Sequence, residues 1–415
     1  MRADDDRGTR RTAELAARSS YGRLVAYLVA RSRDVSAAED ALGAAFLAAL
    51  ETWPRAGVPE KPEAWLLAAA RRRLVDAARH VKVAAAAAAP LRILFDGAEQ
   101  EASESAVFPD ERLKLLFVCA HPAIDETVRT PLMLQTVLGL DAARIASAFL
   151  VTPATMGQRL VRAKAKIRDA GIQFEIPERQ DLPARVEAVL EAIYAAYGSA
   201  WEDVAGADPR RQGLAEEAIW LGRLVNRLLA EPEAQGLLAL MLHCEARREA
   251  RRDGAGHYVP LSLQATARWS RPLIAEAEEV LSAASRACRL GRFQLEAAIQ
   301  SVHAQRAVSG RTDWGAIALL YEGLIRSAPT TGARVGYAAA LAEVKGAEAG
   351  LAALHSIPSV AVQSYQPYWA LMAHLLQCLG RDTQATDAYA RAIVLSEDTA
   401  VREFLAARSS AMTSG

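Results

Sequence analysis

Cysteine is scarce in this chain of 415 residues, where Cys119, Cys244, Cys288 and Cys378 lie far apart. Their spacing is neither that of a zinc site nor that of a disulfide framework, and it fits a reducing compartment. Apolar runs long enough for a membrane span are also absent. The start of the chain, MRADDDRGTRR, is charged and lacks the following apolar segment that a secretory signal needs. We therefore expect a cytoplasmic protein that makes no membrane contact.

The residue patterns of common catalytic sites are absent too. There is no Gly-rich phosphate loop, no metal-ligand spacing and no nucleophile elbow. The polar candidates for a catalytic pair are His121 with Cys119, His243 with Cys244, and His303. All of them lie in apolar helical contexts, where a packing, capping or surface role accounts for them. We predict that the protein is not an enzyme and that it needs no metal or cofactor.

The charge balance leaves no excess of either sign. Lys and Arg number 49, Asp and Glu number 49, and the formal net charge is zero. A surface for nucleic acid must therefore be a local basic patch that acidic residues elsewhere offset. The chain is rich in Ala, Leu, Arg and Glu and poor in β-branched runs, a composition that predicts an all-α protein. Its length predicts two or three domains.

One stretch combines helical periodicity with basic charge, and it runs from Asp141 to Asp169. Asp141 can cap a short first helix, and Phe149 to Val151 form a turn. Thr152 then caps a longer helix that has Pro153 at its first position, where the missing N–H is not needed. A short helix, a turn and a longer basic helix make a helix-turn-helix, whose second helix enters the major groove of DNA. The residues that we expect to contact DNA from this helix are Thr155, Gln158, Arg159, Arg162, Lys164 and Lys166.

An ordinary helical hairpin with a solvated basic face is the alternative for this stretch. Two features weigh against it. Between Pro153 and Arg168 the second helix carries five basic residues and no acidic residue. Its start also offers the small or polar side chains of Ala154, Thr155 and Gln158, which suit a close approach to bases. DNA binding is therefore the interpretation that we favour.

Residues 12–82 predict three helices before this module. The first runs from about Thr12 to Arg31, and the second starts at Ser36 with the sequence AAEDALGAAFLAALETW. A turn-rich connection, Pro54 to Pro62, follows. The third helix, from Glu63 to about Lys82, begins with aromatic and apolar residues and ends basic.

These two blocks carry a family resemblance. AAEDALGAAFLAAL followed by AWLLAAARRRLVDAARH resembles the second region of bacterial extracytoplasmic-function (ECF) sigma factors, and the helix-turn-helix resembles their fourth region. DERLKLLFVCAHPAID and TMGQRLVRAKAKIRDAGIQFEIP are similar to one branch in particular. That branch has a long tetratricopeptide-like helical extension, and its genes often neighbour those of small DGPF (YCII-related) proteins.

The resemblance implies a sigma factor that binds core RNA polymerase and directs initiation at promoters. The second helix would bind the polymerase, and the third would engage the downstream, −10-type promoter element with Trp65 near the point of melting. The recognition helix would read the upstream, −35-type element. A DGPF (YCII-related) protein is the regulatory partner implied for the extension. The polymerase-binding residues would be Glu39, Asp40, Phe46 and Leu47, and the further DNA-binding residues Trp65, Arg71, Arg72, Arg73 and Arg79.

The expected architecture is all-α in three parts. Sigma region 2 would span 12–82, a Gly/Ser-bearing linker 83–109, sigma region 4 with the helix-turn-helix 110–177, and a tetratricopeptide-like array 183–415. Amphipathic helices fill the last part, and Cys378 to Leu395 resembles the turn and second helix of a tetratricopeptide repeat. We expect this extension to act as a built-in regulator.

Two other classes of protein remain open at this level. A helix-turn-helix regulator with a helical sensor domain would need no core polymerase, but it would leave residues 12–82 without a role. A pure interaction scaffold would leave the arginine clusters without one. Transcription with purified core polymerase separates the three.

Overall fold

The computed structural model describes residues 20–82, 110–149, 151–201 and 209–413. These residues confirm the predicted all-α class, since they form helices and contain no β-strand. They form two compact units, 1–196 and 197–415, in so far as those ranges are described. The linker expected at 83–109 lies outside the described residues.

Unit 1 contains seven helices and the greater part of an eighth among its described residues. They are α1 (20–32), α2 (Val35–Ala56), α3 (Pro62–Lys82), α4 (Arg112–Cys119), α5 (Glu126–Leu138), α6 (Ala142–Ala148), α7 (Pro153–Asp169) and α8 (Leu182–Trp201).

Local signals in the sequence set several of these helix ends. The Asp34 carboxylate accepts the Ala37 N–H at 3.0 Å and begins α2, one residue earlier than expected. Gly139 ends α5 in the left-handed conformation, at φ 71°, as predicted. Helix α2 differs from the prediction at its other end, because it continues through Pro54 to Ala56. The Gly57 N–H closes its last turn on the Trp53 carbonyl at 2.9 Å.

The first helix beyond the expected region 4 belongs to unit 1. Val189, Leu190 and Ile193 of α8 are buried, and an Arg185 Nη2 donates to the Phe117 carbonyl of α4. We expected one module to end near 177 and the extension to begin at 183. The compact unit instead runs on to Ala196, inside α8.

Unit 2 carries the remaining helices of the described chain. They are α9 (Pro209–Leu228), α10 (Pro232–Glu245), α11 (Arg271–Ser285), α12 (Arg292–Ala304), α13 (Arg306–Ser309), α14 (Trp314–Ser327), α15 (Thr331–Lys345), α16 (Ala347–His355), α17 (Ser359–Val362), α18 (Gln366–Cys378), α19 (Asp382–Leu395) and α20 (Thr399–Thr413). Three short 3-10 helices lie between α10 and α11.

Two sequence predictions for unit 2 are wrong in detail. The amphipathic pattern predicts one helix over 263–290, but α11 runs only from Arg271 to Ser285. Pro272 lies in its first turn, where a missing N–H is not needed. Helices α16, α17 and α20 were not predicted. Within the segment from Cys378 to Leu395 the residues expected to pack are Gly380, Ala385, Tyr389 and Ala392. The last three are 0 to 1% exposed, whereas Gly380 is exposed in the turn before α19, at φ 68°.

Candidate nucleic-acid interface

Helix α7 presents one buried face and one exposed face. The Thr152 hydroxyl accepts the Thr155 N–H at 3.2 Å, and Pro153 stands in the first turn, so the predicted start of this helix is confirmed. Before it, the Asp141 carboxylate accepts the Arg144 N–H at 2.8 Å and caps α6 as predicted. The residues of α7 that are buried are Met156, Leu160, Ala163, Lys164 and Ile167.

The opposite face of α7 is exposed and basic. Thr155 and Gln158 are exposed at its start, and Arg159, Arg162 and Lys166 follow along the same face. These three cations line a groove whose other wall is the turn before α5 and the first turn of α5. At that turn, hydrogen bonds from Thr127 and the nearby charge of Arg159 hold the pKa of the Asp125 carboxyl below its ordinary value.

Lys164 does not share this exposed face, which differs from the sequence expectation. It is 8% exposed and forms an ion pair with Glu39 of α2. The reason is periodicity, since position 164 follows 160 by one helical turn and lies beside 163 and 167 on the packing face. From the sequence we expected Glu39 to contact the polymerase and Lys164 to contact DNA. In the structure these two residues contact each other.

Helix α3 separates its arginines in the same way. Arg72 and Arg73 are exposed, whereas Arg71 is 5% exposed and donates to the Tyr27 hydroxyl of α1. The Arg71 guanidinium also lies 4.9 Å from the centroid of the Tyr27 ring. Sequence reasoning missed Tyr27, because a contact between residues 44 positions apart leaves no local pattern. The side chain of Arg79 lies outside the described residues.

Trp65, near the start of α3, is half-buried and rests against a buried partner. Its ring packs edge-on against Trp53 of α2, with centroids 5.5 Å apart and an interplanar angle of 68°. Trp53 itself is only 2% exposed, so it is a fixed support. The arrangement holds the Trp65 ring in one place at the edge of the core while part of it stays accessible.

Helix α2 carries an exposed stripe opposite its core face. Asp40, Gly43, Leu47 and Leu50 recur at helical spacing along it, and all four are exposed. Leu47 is 65% and Leu50 is 41% exposed. Phe46, at the margin of this stripe, is half-buried. An acidic residue beside protruding leucines is a surface suited to a protein partner.

The described residues form neither a metal-binding cluster nor a membrane-spanning helix. They contain no group of three or more His, Cys, Asp or Glu side chains placed to hold a metal ion. No helix that they form is long and apolar enough to cross a membrane. His121, one of the candidates for a catalytic pair, uses its Nδ1 to accept the Ala123 N–H at 3.1 Å in the turn after α4.

Comparison with known proteins finds two matching family models and one similar protein along nearly the whole chain. Residues 17–82 match the model of sigma-70 region 2, and residues 185–285 match a family of unknown function, DUF6596. An uncharacterized protein of Rhizobium meliloti (strain 1021) is 36% identical over 398 residues, which cover 94% of each chain. No solved structure matches the chain.

The chain therefore belongs to the same family as the Rhizobium protein. Residues 17–82 carry a sigma-70 region 2 domain, and this domain supports a sigma-70 family sigma factor with a role in transcription initiation. Core RNA polymerase and promoter DNA are the partners of this family, whose members are transcription factors rather than enzymes.

Proposed function

We propose that this sigma factor is of the extracytoplasmic-function type and reads two promoter elements with α3 and α7. The observation that carries the proposal is the presence, in one chain, of a sigma-70 region 2 match and a second module whose helix α7 exposes a capped, basic face. A helix-turn-helix regulator that acts without the polymerase would not need a sigma-70 region 2 module. The function places the protein in the cytoplasm, where the polymerase and the chromosome are.

Polymerase binding is assigned to the exposed stripe of α2. Asp40 and Leu47 protrude from it, and Phe46 lies at its edge. Exposed apolar side chains next to a charge supply both burial and orientation when a partner covers them. Replacing Asp40 and Phe46 together should therefore weaken binding to core polymerase, while the helical content stays unchanged.

The downstream element is assigned to α3. Arg72 and Arg73 are exposed and available to phosphates, and the supported ring of Trp65 is available to an unstacked base. Stacking of a base on an aromatic side chain is worth about 1–3 kcal/mol. Arg71 instead holds α3 on α1 through Tyr27, so we assign it a positioning role.

The upstream element is assigned to α7 as duplex DNA. Thr155, Gln158 and Arg159 stand nearest its N-terminus, the end that contacts bases in this motif. Arg162 and Lys166 follow on the same face and would contact phosphates. Arg159→Ala should relax the preference for the upstream element, since a bidentate contact between arginine and guanine contributes about 1–3 kcal/mol of discrimination. Lys166→Ala, the matched control, should weaken binding evenly across sequences and lower its salt dependence.

The extension is assigned a regulatory role, with a DGPF (YCII-related) protein as its candidate partner. Support comes from its size and from its composition of packed helices, since helical arrays of the tetratricopeptide kind serve as protein-binding surfaces. An attached domain acts at high effective concentration, so weak contacts suffice for control.

Reconstituted transcription tests the function. Core polymerase with the purified protein would be given fragmented genomic DNA, and the 5′ ends of the transcripts would be sequenced. We expect start sites that share two upstream motifs and that disappear with the Asp40 and Phe46 double variant. DNA binding without polymerase, together with a lack of new transcripts, would instead identify a helix-turn-helix regulator.

A further inference from the structure

Unit 2 contains a buried arginine that forms no ion pair within the described chain. Arg247 lies just after α10 and is 7% exposed. Its Nη2 donates to the Gln300 Oε1 atom of α12 and lies 3.9 Å from the Cys244 sulfur. Its Nη1 is buried and has no hydrogen-bond partner. A buried charge is ordinarily satisfied by an opposite charge and a complete set of hydrogen bonds, and Arg247 has neither.

Two further basic groups lie close to Arg247. His303 is one helical turn beyond Gln300 on α12, and Arg306 begins α13. Burial lowers the pKa of His303 to about 4, and the charges of Arg247 and Arg306 act in the same direction. Burial and the charge of Arg247 likewise lower the pKa of Arg306. The two guanidinium groups therefore concentrate positive potential beside an imidazole that is neutral at pH 7.

The carboxylates in this part of unit 2 have other partners. They are Glu245, which pairs with Arg248 at 2.7 Å, Glu296, which pairs with Arg292 at 2.8 Å, and Glu278, which accepts the Ser301 hydroxyl at 2.6 Å. Glu278 also lies 3.5 Å from His243. Among the residues that the structure describes, neither Arg247 nor Arg306 forms an ion pair, so the positive potential of the two is not neutralised within unit 2.

Buried polar atoms without partners recur around the two arginines. His243, one turn before Arg247, is 1% exposed, and neither of its ring nitrogens has a hydrogen bond. Trp269 is 4% exposed, and its Nε1 also has none. The centroid of the Trp269 ring lies 5.0 Å from the Arg306 guanidinium. Because buried donors are ordinarily hydrogen-bonded, this group of them suits a ligand that accepts hydrogen bonds.

The cluster has a buried end and an accessible end. Arg247 and Trp269 are buried, whereas His303 and Arg306 are half-buried. The His303 ring packs edge-on against the half-buried Trp314, with centroids 5.4 Å apart. A ligand would therefore direct its charged group toward Arg247 and leave its remaining atoms near His303 and Trp314.

We propose that this cluster binds a small anion whose oxyanion group, a carboxylate or a phosphate, is held by Arg247 with His303 and Arg306 at the rim. Arginine suits both groups, because its planar set of N–H donors matches their oxygen atoms. The burial of Arg247 favours a small molecule over an acidic side chain of another protein, which would have to displace the rim. Binding requires neither polymerase nor promoter, so the proposal goes beyond the proposed function.

Hydrogen exchange in the full chain tests the site with two probes, sodium phosphate and sodium benzoate. Sodium chloride at the same ionic strength controls for screening. With a probe well above its Kd, exchange in the segments around Arg247 and Arg306 should slow about tenfold relative to chloride. Protection by phosphate alone or by benzoate alone identifies which oxyanion the site takes. Exchange that is the same in all three salts would overturn the proposal.

Arg247→Met distinguishes a ligand-binding residue from a structural one. Because the variant removes a buried charge without an acidic partner, the free protein should be at least as stable as the parent, and the protection by the probes should disappear. Arg252→Met is the matched control, since the Arg252 side chain is only 13% exposed but pairs with Asp398. It should lower stability and leave the protection unchanged. Protection that persists in Arg247→Met, or a loss of stability as large as in Arg252→Met, would refute the site.

His303→Leu covers the case in which Arg247→Met does not fold. It removes a polar group from the half-buried rim and should weaken the protection severalfold, whereas His355→Leu, at an exposed histidine of α16, should not. Equal protection in the two variants would count against the proposal. All of these measurements use the free protein, so a failure to transcribe with core polymerase would refute the proposed function separately.

Discussion

Unit 1 and the last helices of unit 2 are each stabilised by internal contacts. These contacts differ in how far apart in sequence their residues are. In unit 1 the Lys164 contact with Glu39 spans 125 positions, and the Arg185 contact with the Phe117 carbonyl spans 68. From α14 to α19 the helices pack mainly on their neighbours in sequence, and the Tyr389 hydroxyl bonds Gln377 only 12 positions away. The start of α20 is an exception, because Asp398 pairs with Arg252 and Phe404 packs on Tyr258. A destabilising substitution should therefore affect all of unit 1, whereas in the array it should affect only the neighbouring helices.

Removal of α8 is the variation with the largest expected effect. A chain that ends at Pro177 lacks the buried Val186, Val189, Leu190 and Ile193, and each aliphatic side chain contributes about 1.5–3 kcal/mol when fully buried. A chain that ends after Trp201 retains them. We expect urea to unfold the shorter fragment at a much lower concentration, with a difference of at least about 5 kcal/mol. Equal midpoints would show that α8 does not stabilise unit 1.

The comparison of the chains that end at Pro177 and after Trp201 also determines which truncation tests the extension. Loss of transcription by a chain that ends at Pro177 would report the loss of α8. Only the chain that ends after Trp201 separates regulation by the later helices from the stability of unit 1.

Acid should act on unit 2 through the buried His243 and the half-buried His303. Burial, followed by the charge of Arg247, lowers the pKa of His243 to about 4, and burial with Arg247 and Arg306 lowers that of His303 to about 4. The Glu278 carboxylate lies 3.5 Å from His243. Because both folded pKa values lie below the ordinary value of about 6.5, the unfolded chain binds more protons between these limits. This stability is complete above about pH 6.5 and is lost as the pH falls toward 4.

Urea unfolding at pH 7, 6 and 5 measures the effect. A shift of this size corresponds to at most about 3 kcal/mol per histidine by pH 4. His303→Gln should flatten the pH dependence, whereas the same change at the exposed His355 should not. A His303→Gln variant whose stability falls as steeply as that of the parent would refute the role of His303.

Two helical glycines of the first module offer a matched pair. A Cβ at Gly22 overlaps the α5 backbone, so Gly22→Ala should cost about 1–3 kcal/mol through overpacking and loosen the contact between the modules. A Cβ at Gly43 meets nothing within 4 Å. Gly43→Ala should therefore stabilise α2 by about 0.5–1 kcal/mol. Thermal unfolding of both variants provides the check, and a stable Gly22→Ala protein would contradict the close packing.

Much of the secondary structure could be read from local patterns, and the tertiary contacts could not. Thr152 with Pro153, Asp141 and Gly139 mark helix ends through chemistry within a few residues, and these predictions are confirmed. The burial of Lys164 and Arg71 depends on partners more than 40 positions away, so charge alone suggested exposure. Apolar periodicity did place Leu160 and Ile167 inward. Position 164 lies on the same packed side of the helix. The positive charge of lysine nevertheless led to the prediction that Lys164 is exposed.

A small effect is also expected from Tyr389→Phe in the array. The Tyr389 ring is 1% exposed in the core of α18 and α19, and its hydroxyl donates to Gln377 Oε1 at 2.9 Å. Phenylalanine keeps the ring and removes the hydrogen bond, so the loss should be about 1 kcal/mol. Tyr389→Ala also removes the ring and should cost about 3–5 kcal/mol. Hydrogen exchange supplies the decisive measurement, because nearest-neighbour packing predicts faster exchange in α18, α19 and α20 alone. Faster exchange in α4 and α5 of unit 1 would show that the array is not local, and the contrast between the two units would then fail.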